Sequence, residues 1–147
     1  MIQKVLMVCV GNICRSPMAA ALMAEKLKPM TPEVALTSAG IHALVNHPAH
    51  KTAQTLMLER GLDISLHKAQ QVTPAILFNN DLILTMEARH QKHIEYNLPS
   101  VRGRVYRLGH WSNVDIPDPY RQSYSFFSQV LALITQGIDE WYLKLWS

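Results

Sequence analysis

The feature that most constrains this chain lies at its start. Six consecutive apolar residues, Val5 to Val10, run without a break into Gly11-Asn12-Ile13-Cys14-Arg15-Ser16-Pro17. A continuous apolar run of this length suits a strand buried on both faces in a parallel sheet. Gly11 and Asn12 permit a tight bend, and Pro17 suits the opening of a helix, where no backbone donor is missed. Strand, loop and helix in this order open an α/β domain, and the chain continues the alternation. Helical spacing runs from Pro17 to about Lys28 and from Lys51 to Arg60, where Gly61 stops it. Val34 to Ser38, Asp81 to Met86 and Arg104 to Leu108 read as strands, Glu87 to Asn97 as a polar helix, and Gly40 to Pro48 and Ser112 to Gln122 as loops. From about Ser123, Phe127, Val130, Leu131, Ile134, Ile138, Trp141, Tyr142 and Leu145 form one apolar helical stripe, read as packing. With no linker or repeat, the pattern predicts a single three-layer domain over residues 1–147.

Composition narrows the function. A chain of 147 residues that is 48% hydrophobic and 17% charged can bury a normal core and is not disordered. Its net charge of +3 is too slight an excess to argue for nucleic acid or an acidic membrane surface. Gln122 to Ile138 carries no charge, but Ser, Gln and Thr recur in it, so it reads as an amphipathic helix and no membrane insertion is expected. The apolar start, interrupted by Gly11, Asn12 and Arg15, is too short for a signal peptide. Cys9 and Cys14 cannot frame a secreted disulfide fold, and a reducing compartment, the cytoplasm, is expected. No acidic or Cys cluster completes a site for His47 and His50 or for His90 and His93, so these read as solvated surface and no metal is expected.

The chemistry is carried by the frame C-x5-R-S, from Cys9 to Ser16. The loop Val10-Gly11-Asn12-Ile13-Cys14-Arg15-Ser16, ending at a helix N-terminus, can turn successive N–H groups inward as a phosphate nest. Arg15 can hold two phosphate oxygens with its planar fork, and Cys9 then faces the phosphorus as a nucleophile suited by the same positive field. Ser16 can donate a hydrogen bond to its sulfur. Expelling a phenolate needs an acid, and Asp118, between Pro117 and Pro119, is the candidate, with Tyr120 beside it as an aromatic wall. The bland alternatives are a buried structural cysteine and an ordinary proline turn. His67 reads as a hydrogen-bonded structural residue. Arg102, Arg104 and Arg107 read as solvated strand and loop ends.

Four segments together, Val8-Cys9-Val10-Gly11-Asn12-Ile13-Cys14-Arg15-Ser16-Pro17, Thr37-Ser38-Ala39-Gly40, Asp81 to Met86 and Asp118-Pro119-Tyr120, make the chain resemble the low-molecular-weight protein tyrosine phosphatases over essentially its full length. The resemblance implies a four-stranded parallel sheet in order 2-1-3-4, a phosphocysteine intermediate on Cys9, Arg15 as clamp, Asp118 as general acid and base, and no cofactor. It implies that Asn12, Ser16, Ser38 and His67 shape the loop, and it allows Cys14 to be a redox partner of Cys9 as readily as a buried filler. Gly109-His110-Trp111 and Ile116 to Arg121 resemble the bacterial branch tied to exopolysaccharide and capsule systems, whose partners are autophosphorylating tyrosine kinases. Ile13, with Leu44 and Tyr120 as further walls, resembles the phosphotyrosine type, whereas threonine at that place marks phosphoarginine-directed members. Three departures stand out: Gln70 replaces a frequent arginine, Ala49-His50-Lys51 replaces a stretch that often holds aspartate, and Arg121 replaces the second tyrosine of a pair. Arsenate reductase and a phosphoryl-carrier module are the alternatives on the same fold, although no cysteine follows Cys14.

Overall fold

The computed structural model describes residues 1–147. Its centre is β1 (Lys4–Cys9), which pairs in parallel with β2 (Ala35–Gly40) on one side and β3 (Leu82–Thr85) on the other; β4 (Val105–Arg107) completes the order β2-β1-β3-β4. Successive side chains of β1 alternate between two cores, which is why the run reads as continuously apolar. Val5, Met7 and Cys9 face the larger core, under α1 (Arg15–Leu27), α2 (Lys51–Glu59) and α5 (Tyr124–Leu145). Leu6 and Val8 face the smaller one, under α3 (Pro74–Phe78) and α4 (Ala88–Asn97). The expected strand order and the three-layer α/β class are therefore both present.

Element ends differ from the sequence reading by one or two residues, and the differences are local physics. Helix α1 begins at Arg15 rather than Pro17, because Pro17 sits within the first turn, whose N–H groups need no intrahelical acceptor. Ser123 caps α5 by accepting from Phe126 N at 3.1 Å. The short α3 was not expected; Thr73 caps it and Pro74 opens it, but five residues carry too little periodicity to be read. The stripe of α5 is buried from Phe127 to Trp141, whereas Tyr142 is half-buried and Leu145 exposed, and Gly137 lets that helix approach closely, since a Cβ there would lie 2.8 Å from Leu108 O. At the other end of the sheet, a Cβ on Gly40 would collide with Val10 O, so β2 can touch the loop that follows β1 only through a glycine. No helix is long and apolar enough to cross a membrane.

Candidate active site

At the carboxyl end of β1 the chain bends through Gly11 and Asn12, and Asn12 takes a left-handed conformation with φ 60°. Asparagine is among the few residues that accept this conformation readily. Five successive carbonyls of the loop are turned outward and tied down. Cys9 O accepts from Ile41 N at 3.0 Å, Val10 O from His42 N at 3.0 Å, Gly11 O from Leu44 N at 3.1 Å and Ile13 O from His50 N at 2.8 Å. Asn12 O accepts from His67 Nε2 at 2.7 Å, which ties the half-buried His67 ring to the loop. With the carbonyls held outside, the N–H groups from Gly11 to Ser16 have no protein acceptor, and α1 begins without a side-chain cap. Together they form an anion cradle at a helix N-terminus.

The Asn12 side chain, fully buried, sets the polarity of the network. Gln70 N donates to its Oδ1 at 2.9 Å, which fixes the amide orientation. The Nδ2 hydrogens then go to Ser16 Oγ at 2.7 Å and Ser38 Oγ at 3.0 Å. Because Ser16 Oγ already accepts, its own hydrogen is free for Cys9 Sγ, 2.8 Å away. Gln70, which replaces the arginine, is part of this lattice: its Nε2 donates to Ser38 O at 2.9 Å, so the loop-shaping region is tied without an ion pair.

Arg15 is almost wholly buried and is held from behind. One terminal nitrogen, Nη1, donates to Glu87 Oε2 at 2.6 Å and to Ile116 O at 2.8 Å. Its Nε and Nη2 make no hydrogen bond to the protein, so two donors along one edge of the fork remain for a ligand. Nη2 lies 3.9 Å from Asp118 Oδ2. Glu87 escaped the sequence reading, which saw only the start of a polar helix. Burial pushes its carboxyl up, but hydrogen bonds from Arg15 and Arg89, with the Arg15 charge, more than offset this and hold it below the ordinary value. His90 is also corrected: it is buried, not solvated. Glu87 N donates to its Nδ1 at 3.2 Å, closing a capping box on α4, and burial followed by the Arg15 charge pushes the ring down to about 4. His50, read as surface, is half-buried and caps α2; His47 and His93 are exposed as expected. Arg107 is likewise engaged, pairing with Asp115 at 3.1 Å, while Asp115 also accepts from Ala88 N at 2.9 Å.

Cys9, Val10, Gly11, Ile13, Cys14, Arg15, Leu44, Asp118 and Tyr120 line one cavity of about 190 Å³, which His42 completes. Cys9 lies at its floor, 3% exposed, and Asp118 at its mouth, where the side chain is 48% exposed and meets water. Asp118 Oδ1 accepts from Tyr120 N at 3.0 Å, a turn that fixes the carboxylate relative to the aromatic wall. Cys14 also borders the cavity, but burial, then the charges of Cys9 and Asp118, push its thiol up to about 12 against the opposing pull of Arg15. Asn12 and Ser16 stand behind this surface, with Ser38, as the polar support.

Comparison with known proteins agrees with this geometry. Residues 4–146 match the family described as low molecular weight phosphotyrosine protein phosphatase. The probable low molecular weight protein-tyrosine-phosphatase EpsP of Ralstonia solanacearum is 45% identical over 141 residues, 96% of this chain and 94% of that protein. The crystal structure of Erwinia amylovora tyrosine phosphatase AmsI superposes with a TM-score of 0.92 at 37% identity, covering 100% of this chain and 95% of that one. Vibrio vulnificus Wzb in complex with benzylphosphonate gives 0.92 at 37% identity, covering 99% and 100%. On sequence and fold alike, the chain belongs to the low-molecular-weight phosphotyrosine protein phosphatase family and is a hydrolase of that kind.

Proposed function

We propose that this enzyme hydrolyses phosphotyrosine in proteins through a phosphocysteine intermediate. The observation that carries the reading is the convergence of Cys9, Arg15 and Asp118 on one cavity whose floor is the N–H cradle. The phosphate oxygens take the open N–H groups and the free edge of Arg15. Cys9 Sγ attacks phosphorus as the bond to the phenolic oxygen breaks, and Asp118, protonated, gives its proton to the departing phenolate. Asp118, now a carboxylate, takes a proton from water, whose oxygen attacks phosphorus, and the S–P bond breaks to return the Cys9 thiolate and free phosphate. Ser16 steadies that thiolate at both ends of the cycle. Depth supports selection of phosphotyrosine, because the buried Cys9 in a cavity walled by Ile13, Leu44 and Tyr120 suits a long aryl ester better than a short phosphoserine.

The physiological partner in this reading is an autophosphorylating bacterial tyrosine kinase of polysaccharide export, met in the cytoplasm. Similarity to EpsP, AmsI and Wzb supports it, as do the two free thiols. Asp118 at the cavity mouth favours hydrolysis over a phosphoryl-carrier role, which needs no acid, and no cysteine beyond Cys9 and Cys14 supports an arsenate-reducing relay. The test is turnover of phosphotyrosine peptides with a metal chelator present. Cys9→Ser should abolish turnover yet still bind vanadate. Asp118→Asn should lose about two to four orders of magnitude on poor leaving groups, and less on activated phenols. Turnover by Cys9→Ser, or equal losses by Asp118→Asn on both substrate types, overturns the mechanism.

A further inference from the structure

His50 stands where the phosphate loop, α2, α5 and the acid loop meet. Its backbone N–H donates to Ile13 O at 2.8 Å, and its ring Nδ1 accepts from Thr52 N at 3.1 Å, capping α2. The ring lies on Phe127 of α5, with centroids 5.0 Å apart at 30°, and meets Tyr120 edge to face at 6.0 Å and 80°. Phe127 is fully buried, so the His50 ring rests on a rigid support, whereas Tyr120 is 42% exposed on a loop. An aromatic edge contact of this kind is worth about 0.5–1.5 kcal/mol beyond area burial in favourable cases, enough to bias the pose of a loop side chain.

We infer that His50 is a positioning residue for Asp118, acting through Tyr120. The relay is short. Phe127 holds the His50 ring, the His50 ring holds the Tyr120 ring, and Tyr120 N holds Asp118 Oδ1. The inference rests on the reading of Asp118 as the general acid. An aspartate at this place would cap α2 equally well, since its carboxylate accepts an N–H. It would give Tyr120 no ring to rest against. Histidine at this place therefore both caps α2 and sets an aromatic brace under the acid loop.

Capping and bracing are separable. His50→Asn keeps a cap acceptor and removes the ring; His50→Phe keeps a ring and removes the acceptor. The experiment measures kcat/KM over a series of aryl phosphates with leaving phenols of rising basicity, together with thermal midpoints. His50→Asn is expected to melt near wild type, to lose about 5–20-fold on the most basic phenols, and to change less than about two-fold on nitrophenyl phosphate. His50→Phe should keep the wild-type dependence on leaving group and melt about 2–4 °C lower. In a Tyr120→Ala background, His50→Asn should add no further leaving-group dependence, because the relay is already cut. A wild-type slope in His50→Asn, or additive losses in the double variant, overturns the inference. Asp118→Asn measured in the same series separates the two readings. A steep slope there beside a flat one in His50→Asn sinks the brace alone. A wild-type slope in Asp118→Asn removes the acid, and the brace with it.

Discussion

The two cysteines of the phosphate loop are placed for different chemistry. Cys9 receives the Ser16 hydroxyl and floors the cavity, while Cys14 makes no side-chain hydrogen bond and its thiol is pushed up to about 12, chiefly by burial. An alkylating reagent at neutral pH should therefore modify Cys9 and spare Cys14, and Cys14→Ser should retain most activity, both checked by peptide mass analysis beside turnover. Under mild peroxide, Cys9 is expected to reach the sulfenic acid, which condenses with the Cys14 thiol, releasing water and forming a disulfide that added thiol reverses. Inactivation without a Cys9 to Cys14 bond would return Cys14 to a space-filling role. Ile13 is the other residue whose side chain tests a specific claim. It sits in the cavity wall, 9% exposed, with Leu44 adjoining Gly11. Ile13→Thr puts a hydroxyl into that apolar wall, and the ratio of kcat/KM for phosphotyrosine over phosphoarginine proteins should fall by about 10-fold or more. An unchanged ratio would leave the phosphatase standing and remove Ile13 from specificity.

At the scale of elements, the acidic residue that anchors Arg15 comes from the turn between β3 and α4, 72 positions away. Glu87→Gln preserves shape but leaves a buried guanidinium without its countercharge. It should raise KM for phosphopeptides and lower kcat/KM by about 10–100-fold, since the clamp loses its orientation. Glu87→Ala, which breaks the pair outright, should cost about 3–5 kcal/mol in chemical denaturation. Unaltered KM in Glu87→Gln would show that Ile116 O alone holds Arg15. Glu87 also marks the boundary of what the sequence reveals. The loop Cys9 to Ser16, the proline-flanked Asp118 and the buried stripe of α5 are legible because each writes its constraint within a few adjacent residues or a fixed period. Glu87 and His90 act by where β3 ends relative to β1, a sheet-register fact that no local pattern encodes. The available signal was topological: a carboxylate just past a parallel strand beside β1 emerges at the same sheet end as the phosphate loop. For His50, the missed information was tertiary contact with Phe127 and Tyr120, which the loop composition around it does not announce.

Over the whole molecule, the same buried charge couples the site to acid stability. His90 is buried, which disfavours its charged form, and the buried, permanently cationic Arg15 nearby disfavours it further, so the ring is held down to about 4 against an ordinary 6.5. Its Nδ1 accepts from Glu87 N, which leaves the hydrogen on Nε2, facing Glu87 Oε2 at 3.5 Å without a hydrogen-bond partner. The unfolded chain takes up a proton at this histidine at higher pH than the folded one. The stabilisation is complete above the unfolded value of 6.5, drains as pH falls toward about 4, and changes no further below that. Glu87, held below its ordinary value of 4.5, acts in the same direction at lower pH: its contribution is present above that value and lost as its folded form is protonated. Two steps result, one from histidine and a more acidic one from the carboxylate. Urea midpoints measured from neutral pH to 4 should fall for the wild type, with His90 accounting for up to about 3 kcal/mol. In His90→Gln, whatever its absolute stability, the slope across the histidine window should flatten, while the loss from Glu87, followed by extending the series below pH 4, persists. Parallel slopes in the two proteins would place the acid sensitivity elsewhere in the molecule.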